Sequence, residues 1–148
     1  MANSERSSIA LELSRRFAAP PERVFDAWLG KSWAEWLPPA KASCVVVELE
    51  PKVGGRYLVR MAMPDGRNVE VTGIYREIDR PRRLVLSWTS SYVKQEALIT
   101  VSFRADGGGT LMTLRQEGFP DVGLRDAYQG GWGGPGGSFD KLAAFLAR

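Results

Sequence analysis

The chain has 148 residues, 44% hydrophobic and 25% charged, proportions that exclude disorder as the default and fit one globular domain with a real core. Net charge is +3 with a pI of about 9.2, and the signs are interleaved, which argues against the clustered basic face that a nucleic-acid partner needs. The lone cysteine, Cys44, excludes an internal disulfide, and the absence of histidine excludes any His-dependent nucleophile and, in practice, a structural zinc site.

Residues 1–8 are polar and lack the apolar centre of a signal peptide, so a disordered tail is expected there, with a single domain over 9–148. Ile9 to Phe17 alternates, with Ile9, Leu11 and Leu13 on one face, and reads as a half-buried strand. After Ala18-Ala19-Pro20-Pro21 a helix is expected from Pro21, carrying Val24, Phe25 and Trp28. Lys31 to Leu37 forms a second short helix with Trp33 and Trp36, closed by Pro38-Pro39. Trp33 reads as core, and Trp36 as either core or a ligand gate.

From Ser43 the apolar period changes to two. Strands are expected over 44–50, 56–63, 68–78, 84–90, 96–105 and 110–117. The turns between them carry Gly, Pro and Asp, as at Pro64-Asp65-Gly66-Arg67 and Asp106-Gly107-Gly108-Gly109. Short turns imply a consecutively paired antiparallel sheet. Cys44, beside Val45 to Val47, is expected to be a buried or half-buried strand residue and not a reactive thiol.

The last stretch, Asp121 to Arg148, carries Leu124, Tyr128, Trp132, Phe139, Leu142 and Leu146 at helical spacing. Gly133-Gly134-Pro135-Gly136-Gly137 interrupts it, and those four Gly and one Pro cost about 7 kcal/mol of propensity against an all-Ala helix. Two helical segments sharing one face are therefore expected, 121–132 and 138–148, with Ser138 as N-cap of the second. The break is expected at a cavity mouth, where it could act as a hinge for ligand access.

The economical arrangement is a curled sheet with the C-terminal stripe across its concave face. Tyr57, Met61, Val71, Tyr75, Trp88, Val101, Met112 and Leu114 are then the candidate ligand-binding residues of the sheet, together with Gln116. Trp36, Tyr128 and Trp132 are the candidates from the helices.

Other motifs fail on context. Gly30-Lys31-Ser32 lacks the upstream glycine of a phosphate-binding loop, and Gly131 to Gly136 matches G-x-G-x-x-G without a preceding strand. Glu48, Glu50, Glu70 and Glu77 read as solvent-facing positions and not as a metal site. Arg76, Arg80, Arg82 and Arg83 flank a turn with acids interleaved, which reads as a solvated turn. No apolar run reaches membrane-spanning length, so no membrane insertion is expected.

The order of motifs resembles the START-like superfamily (SRPBCC, the helix-grip fold). Within it, the chain is similar to the bacterial branch named after the C-terminal domain of the activator of Hsp90 ATPase. Ala19-Pro20-Pro21-Glu22-Arg23-Val24-Phe25-Asp26-Ala27-Trp28 carries the opening, and Trp36-Leu37-Pro38-Pro39 stands where the family usually has WWGP. Val53-Gly54-Gly55, Asp65-Gly66, Gly73 to Ile78, Pro81 to Trp88, Gly109 to Leu114 and Gly131-Trp132 with Phe139-Asp140-Lys141-Leu142 complete it. The resemblance implies an α+β helix-grip, birch-allergen-like fold. Its curved antiparallel sheet has six to seven strands, with two short helices after the first. A long, Gly/Pro-interrupted C-terminal helix then crosses the concave face, over an apolar cavity. Two departures stand out: Leu37-Pro38 replaces the aromatic–glycine pair, and the spacing from Trp132 to Phe139 implies extra residues in the Gly/Pro run.

The leading expectation is a cytoplasmic, non-enzymatic module, monomer or homodimer, that binds a small hydrophobic or aromatic molecule in a closed apolar cavity, with no catalytic residue, cofactor or metal. One rival is a cyclase- or hydratase-like enzyme acting on a polyketide-like substrate, motivated by Tyr57, Tyr75, Gln116 and Arg115, although alternation turns Arg115 away from Gln116. The other is a chaperone-linked protein-interaction module.

Overall fold

In a computed structural model of the chain, residues 9–93 and 95–148 are described. The tail expected over 1–8 lies outside the described residues. Strand β1 (Ala10–Phe17) leads into two short helices, α1 (Pro21–Asp26) and α2 (Trp33–Trp36). Six strands follow: β2 (Ser43–Leu49), β3 (Arg56–Ala62), β4 (Asn68–Asp79), β5 (Arg83–Ser90), β6 (Ala97–Asp106) and β7 (Gly109–Glu117). Helices α3 (Val122–Gly133) and α4 (Ser138–Leu146) end the chain.

All seven strands form one antiparallel sheet in the order β1-β7-β6-β5-β4-β3-β2, so hairpins join β2 to β7 and only β1 pairs with a strand distant in sequence. Register shifts between Val46 and Glu48 and between Tyr75 and Glu77 insert extra residues; such bulges bend a strand and add twist, which curls the sheet. This is the helix-grip α+β fold.

Alternation places Leu11, Tyr57, Val59, Met61, Val71, Tyr75, Leu84, Leu86, Trp88, Ile99, Val101, Met112 and Leu114 in the core, each 7% exposed or less. Helix α1 packs on β6 and β7, and α2 on β2 and α4, so one end of the concave face is filled with aromatic rings. Trp28 lies 4.9 Å from Trp36, 6.3 Å from Trp33 and 5.9 Å from Trp132 between ring centres. Trp33 lies 5.0 Å from Tyr57. Two indole N–H groups in this cluster, Trp28 Nε1 and Trp33 Nε1, have no hydrogen-bond partner among the described residues, a cost that burial of the rings has to outweigh.

The C-terminal stripe breaks, but one residue later than expected, since α3 runs through Gly133. Asp121 caps α3 by accepting from the Leu124 N–H at 2.8 Å. At the break, Gly136 has φ +73°, a conformation that a Cβ disfavours. Ser138 is not the N-cap of α4. Gly137 holds that position, and the Ser138 hydroxyl donates instead to the Leu37 carbonyl at 2.5 Å. The N-cap expectation failed because a buried partner from the 37–40 loop competes for that hydroxyl. Two further bonds tie the same loop to the C-terminal stretch, Ala40 N–H to Gly136 O at 3.0 Å and Lys141 Nζ to Pro38 O at 2.6 Å. The Asp140 carboxylate accepts from the Gly136 N–H at 2.8 Å and from Arg15 of β1 at 2.6 Å. Among the described residues, no helix is long and apolar enough to cross a membrane.

Candidate functional site

Away from the tryptophan cluster, the concave face is not filled. A cleft of about 330 Å³ lies between the sheet and α3. Its floor is Met61, Met63, Val69, Val71 and Trp88, which alternate inward from β3, β4 and β5 or continue those strands. Its roof is Leu124, Ala127, Tyr128, Gly131 and Trp132 of α3, which recur every three or four residues and so share one helix face. Leu37, Pro39 and Ser138 close the end near the glycine break. Arg67, Ser90, Tyr92 and Val93 form the opposite rim.

The rim opens to solvent, so the space is a cleft and not the closed cavity that the sequence suggests. Tyr92, on the loop after β5, is 56% exposed. Arg67 lies over the Tyr92 ring at 5.4 Å and pairs with Asp65 at 2.7 Å. Bonds from the Arg67 backbone and side chain hold the Asp65 carboxyl below the usual range.

Of the twelve candidate residues, the structure brings Met61, Val71, Trp88, Tyr128 and Trp132 together around the cleft. Gln116 stands behind them, buried, and accepts from Trp132 Nε1 at 2.9 Å, which fixes the indole against the roof. Trp36, Tyr57, Tyr75, Val101, Met112 and Leu114 are placed elsewhere, in solid core. Trp36 is fully buried, with Nε1 donating to Ala27 O at 3.2 Å, so it forms no gate. Val101, Met112 and Leu114 lie on β6 and β7, the strands on which α1 packs.

The two tyrosines are spent on backbone. Tyr57 donates to Ser87 O at 2.5 Å, and its ring crosses Gly73, where a Cβ would stand 2.5 Å from it. Tyr75 donates to Trp28 O at 2.8 Å. Burial pushes both phenols well above the ordinary tyrosine range, so both stay protonated. Arg115 is exposed and reaches Glu12 and Glu117, on the face away from Gln116. The groups that motivated the cyclase or hydratase reading therefore lie outside the cleft.

The polar atoms of the cleft are few. Trp88 Nε1 donates to the Tyr128 hydroxyl oxygen at 3.2 Å. Ser90, 6% exposed, accepts through Oγ from the N–H groups of Tyr92 at 3.3 Å and Val93 at 2.9 Å. Burial raises the Tyr128 phenol, with the bonds from Trp88 and Ser90 opposing that rise, so Tyr128 is a neutral O–H at physiological pH.

The remaining sequence features are structural. Arg76, Arg80, Arg82 and Arg83 each pair with an acid, Glu96, Asp26, Asp79 and Glu77, at 2.8–3.5 Å. Cys44 is half-buried on β2, and burial pushes its thiol up to about 11, far from a reactive thiolate. Among the described residues, no three Cys, Asp or Glu side chains converge on a point that could hold a metal.

Met63, Val69 and Leu124 were within reach of sequence reasoning, since they extend the periods of Met61, Val71 and Tyr128. Ser90 extends the period of Trp88 at the end of β5, whereas Tyr92 and Val93 carry no such signal, because a loop has no period to read.

Residues 18–147 match the family described as Activator of Hsp90 ATPase homolog 1-like protein. The crystal structure of protein CV1439 from Chromobacterium violaceum is similar, with 29% identity and a TM-score of 0.86, covering 94% of this chain and 97% of that one. A protein from Rhodobacter sphaeroides has 26% identity and a TM-score of 0.76, over 96% and 95% of the two chains. Protein Ms6760 from Mycobacterium smegmatis, at 21% identity, shares the fold with a TM-score of 0.77 over 94% and 91%. No curated protein matches the chain.

Proposed function

The chain belongs to the Activator of Hsp90 ATPase homolog 1-like family, and from the cleft it carries we propose that it is a cytoplasmic module that binds a small apolar or aromatic molecule between the sheet and α3. The observation that supports this reading is the cleft itself, about 330 Å³ and walled by Met61, Met63, Val69, Val71, Trp88, Leu124 and Trp132. Ligand sites are apolar concavities of about 300–1,000 Å³ with few polar groups, so the volume favours a ligand of one or two fused rings over a long-chain lipid. A core formed only for stability would close such a void, because unfilled apolar space costs stability.

Titration with the neutral fluorophore N-phenyl-1-naphthylamine tests the reading. Ala127 is exposed and faces the cleft, so Ala127→Trp adds bulk to the roof without disturbing the core. Ala144 is equally exposed on α4 and lies outside the cleft lining. Saturable fluorescence enhancement in the wild type and in Ala144→Trp, lost in Ala127→Trp, is the expected outcome. Equal enhancement in all three, or none in the wild type, contradicts it.

A further inference from the structure

The hydroxyl groups of the cleft can be accounted for bond by bond. A hydroxyl has one proton to donate and two lone pairs to accept with. Ser90 Oγ already accepts from the Tyr92 and Val93 N–H groups. Both lone pairs are used, so Ser90 offers Tyr128 no acceptor. The Tyr128 oxygen accepts from Trp88 Nε1, a group that can only donate. Its own proton is left over, and among the described residues no acceptor takes it.

The other polar groups at the cleft are committed. Ser138 donates to the Leu37 carbonyl, and Arg67 is turned to Asp65 and stacked on Tyr92 at the solvent rim. The phenol stays protonated because burial raises it. An unspent donor in an apolar, partly desolvated space is costly to leave unmet and discriminates sharply in favour of a ligand that meets it.

We propose that Tyr128 is the specificity-determining residue of this cleft, and that its hydroxyl, held by Trp88, donates to a carbonyl oxygen on an otherwise apolar aromatic ligand. The inference rests on the binding function proposed above and narrows it to one ligand class, aromatic ketones and related neutral carbonyl compounds. A neutral acceptor suits the site because the rim guanidinium is already neutralised by Asp65.

Two probes of similar shape separate the contributions: 2-acetylnaphthalene, which carries the carbonyl, and 2-isopropylnaphthalene, which does not. Each is titrated against the wild type and Tyr128→Phe by displacement of N-phenyl-1-naphthylamine. The variant should weaken the ketone about tenfold and leave the hydrocarbon within about twofold. Equal weakening of both probes would mean that Tyr128 only shapes the roof, and an unchanged ketone affinity would mean that its proton is not used; either overturns the proposal while leaving the cleft as a binding site. Failure of every probe to bind the wild type would overturn the binding function and this inference with it. A second measurement needs no variant: the carbonyl stretch of the ketone bound to the wild type should shift to lower frequency relative to the ketone in hexane. An unshifted band overturns the proposal.

Discussion

Helices α3 and α4 continue one apolar stripe across the same sheet, but they grip it differently. Helix α4 buries Phe139, Leu142 and Leu146 to 5% exposure or less, packs on α2 and β1, and is tied by Ser138, Asp140 and Lys141 to residues distant in sequence. Helix α3 fully buries only Trp132, while Leu124 and Tyr128 are half-buried because the cleft lies beneath them. One helix supplies core and the other a roof. The glycine–proline break makes that division workable, since it lets α3 stand off the sheet without lifting α4 from it.

Substitutions on the two helices should separate these roles. Phe139→Ala empties a fully packed site and is expected to cost about 3–5 kcal/mol in urea denaturation. Gly136→Ala forces a Cβ into the left-handed region and should cost about 1–2 kcal/mol by the same measurement, because the bonds from Ala40 and Asp140 keep the break in its conformation. Leu124→Ala removes a half-buried side chain over a void that already exists, so about 1 kcal/mol is expected, with a larger proportional loss in fluorophore binding. A Leu124→Ala cost equal to that of Phe139→Ala would erase the distinction between core and roof.

The smallest effect concerns pH. Bonds from Arg15, and then from the Gly136 N–H, hold the Asp140 carboxyl below the usual range. A depressed carboxyl contributes stability above its ordinary value, about 4, and loses that contribution as pH falls through the lower folded value. Asp140→Asn should therefore flatten the acid limb of a plot of Tm against pH below about pH 4, without abolishing it, since Asp26 and Asp65 are depressed as well. An unchanged acid limb would mean that the part-buried Arg15 pair does not anchor α4.

Much of this arrangement is legible in the sequence because period reports which face a residue occupies. Alternation places Met61, Val71 and Trp88 on the concave side, and helical spacing places Tyr128 and Trp132 opposite them. Period carries no information on what covers that face. Tyr57 and Tyr75 share the concave side with Met61 and Val71, but Trp33 of α2 and Trp28 of the turn before it settle over the tyrosines and not over Met61. The destination of Trp36 depends on that tertiary choice, and so does the diversion of the Ser138 hydroxyl to Leu37. Ser90 continues the alternation of β5, but the Tyr92–Val93 rim is set by loop conformation, which no spacing encodes.

Amide hydrogen exchange, measured with and without N-phenyl-1-naphthylamine, tests the division between core and roof most directly. Exchange protection follows buried contacts, so α4 amides should exchange far more slowly than those of α3 in the free protein. Ligand should then slow exchange in α3 and at the Ser90–Val93 rim while leaving α4 unchanged. Equal protection of the two helices in the free protein, or ligand protection centred on α4, would contradict the account.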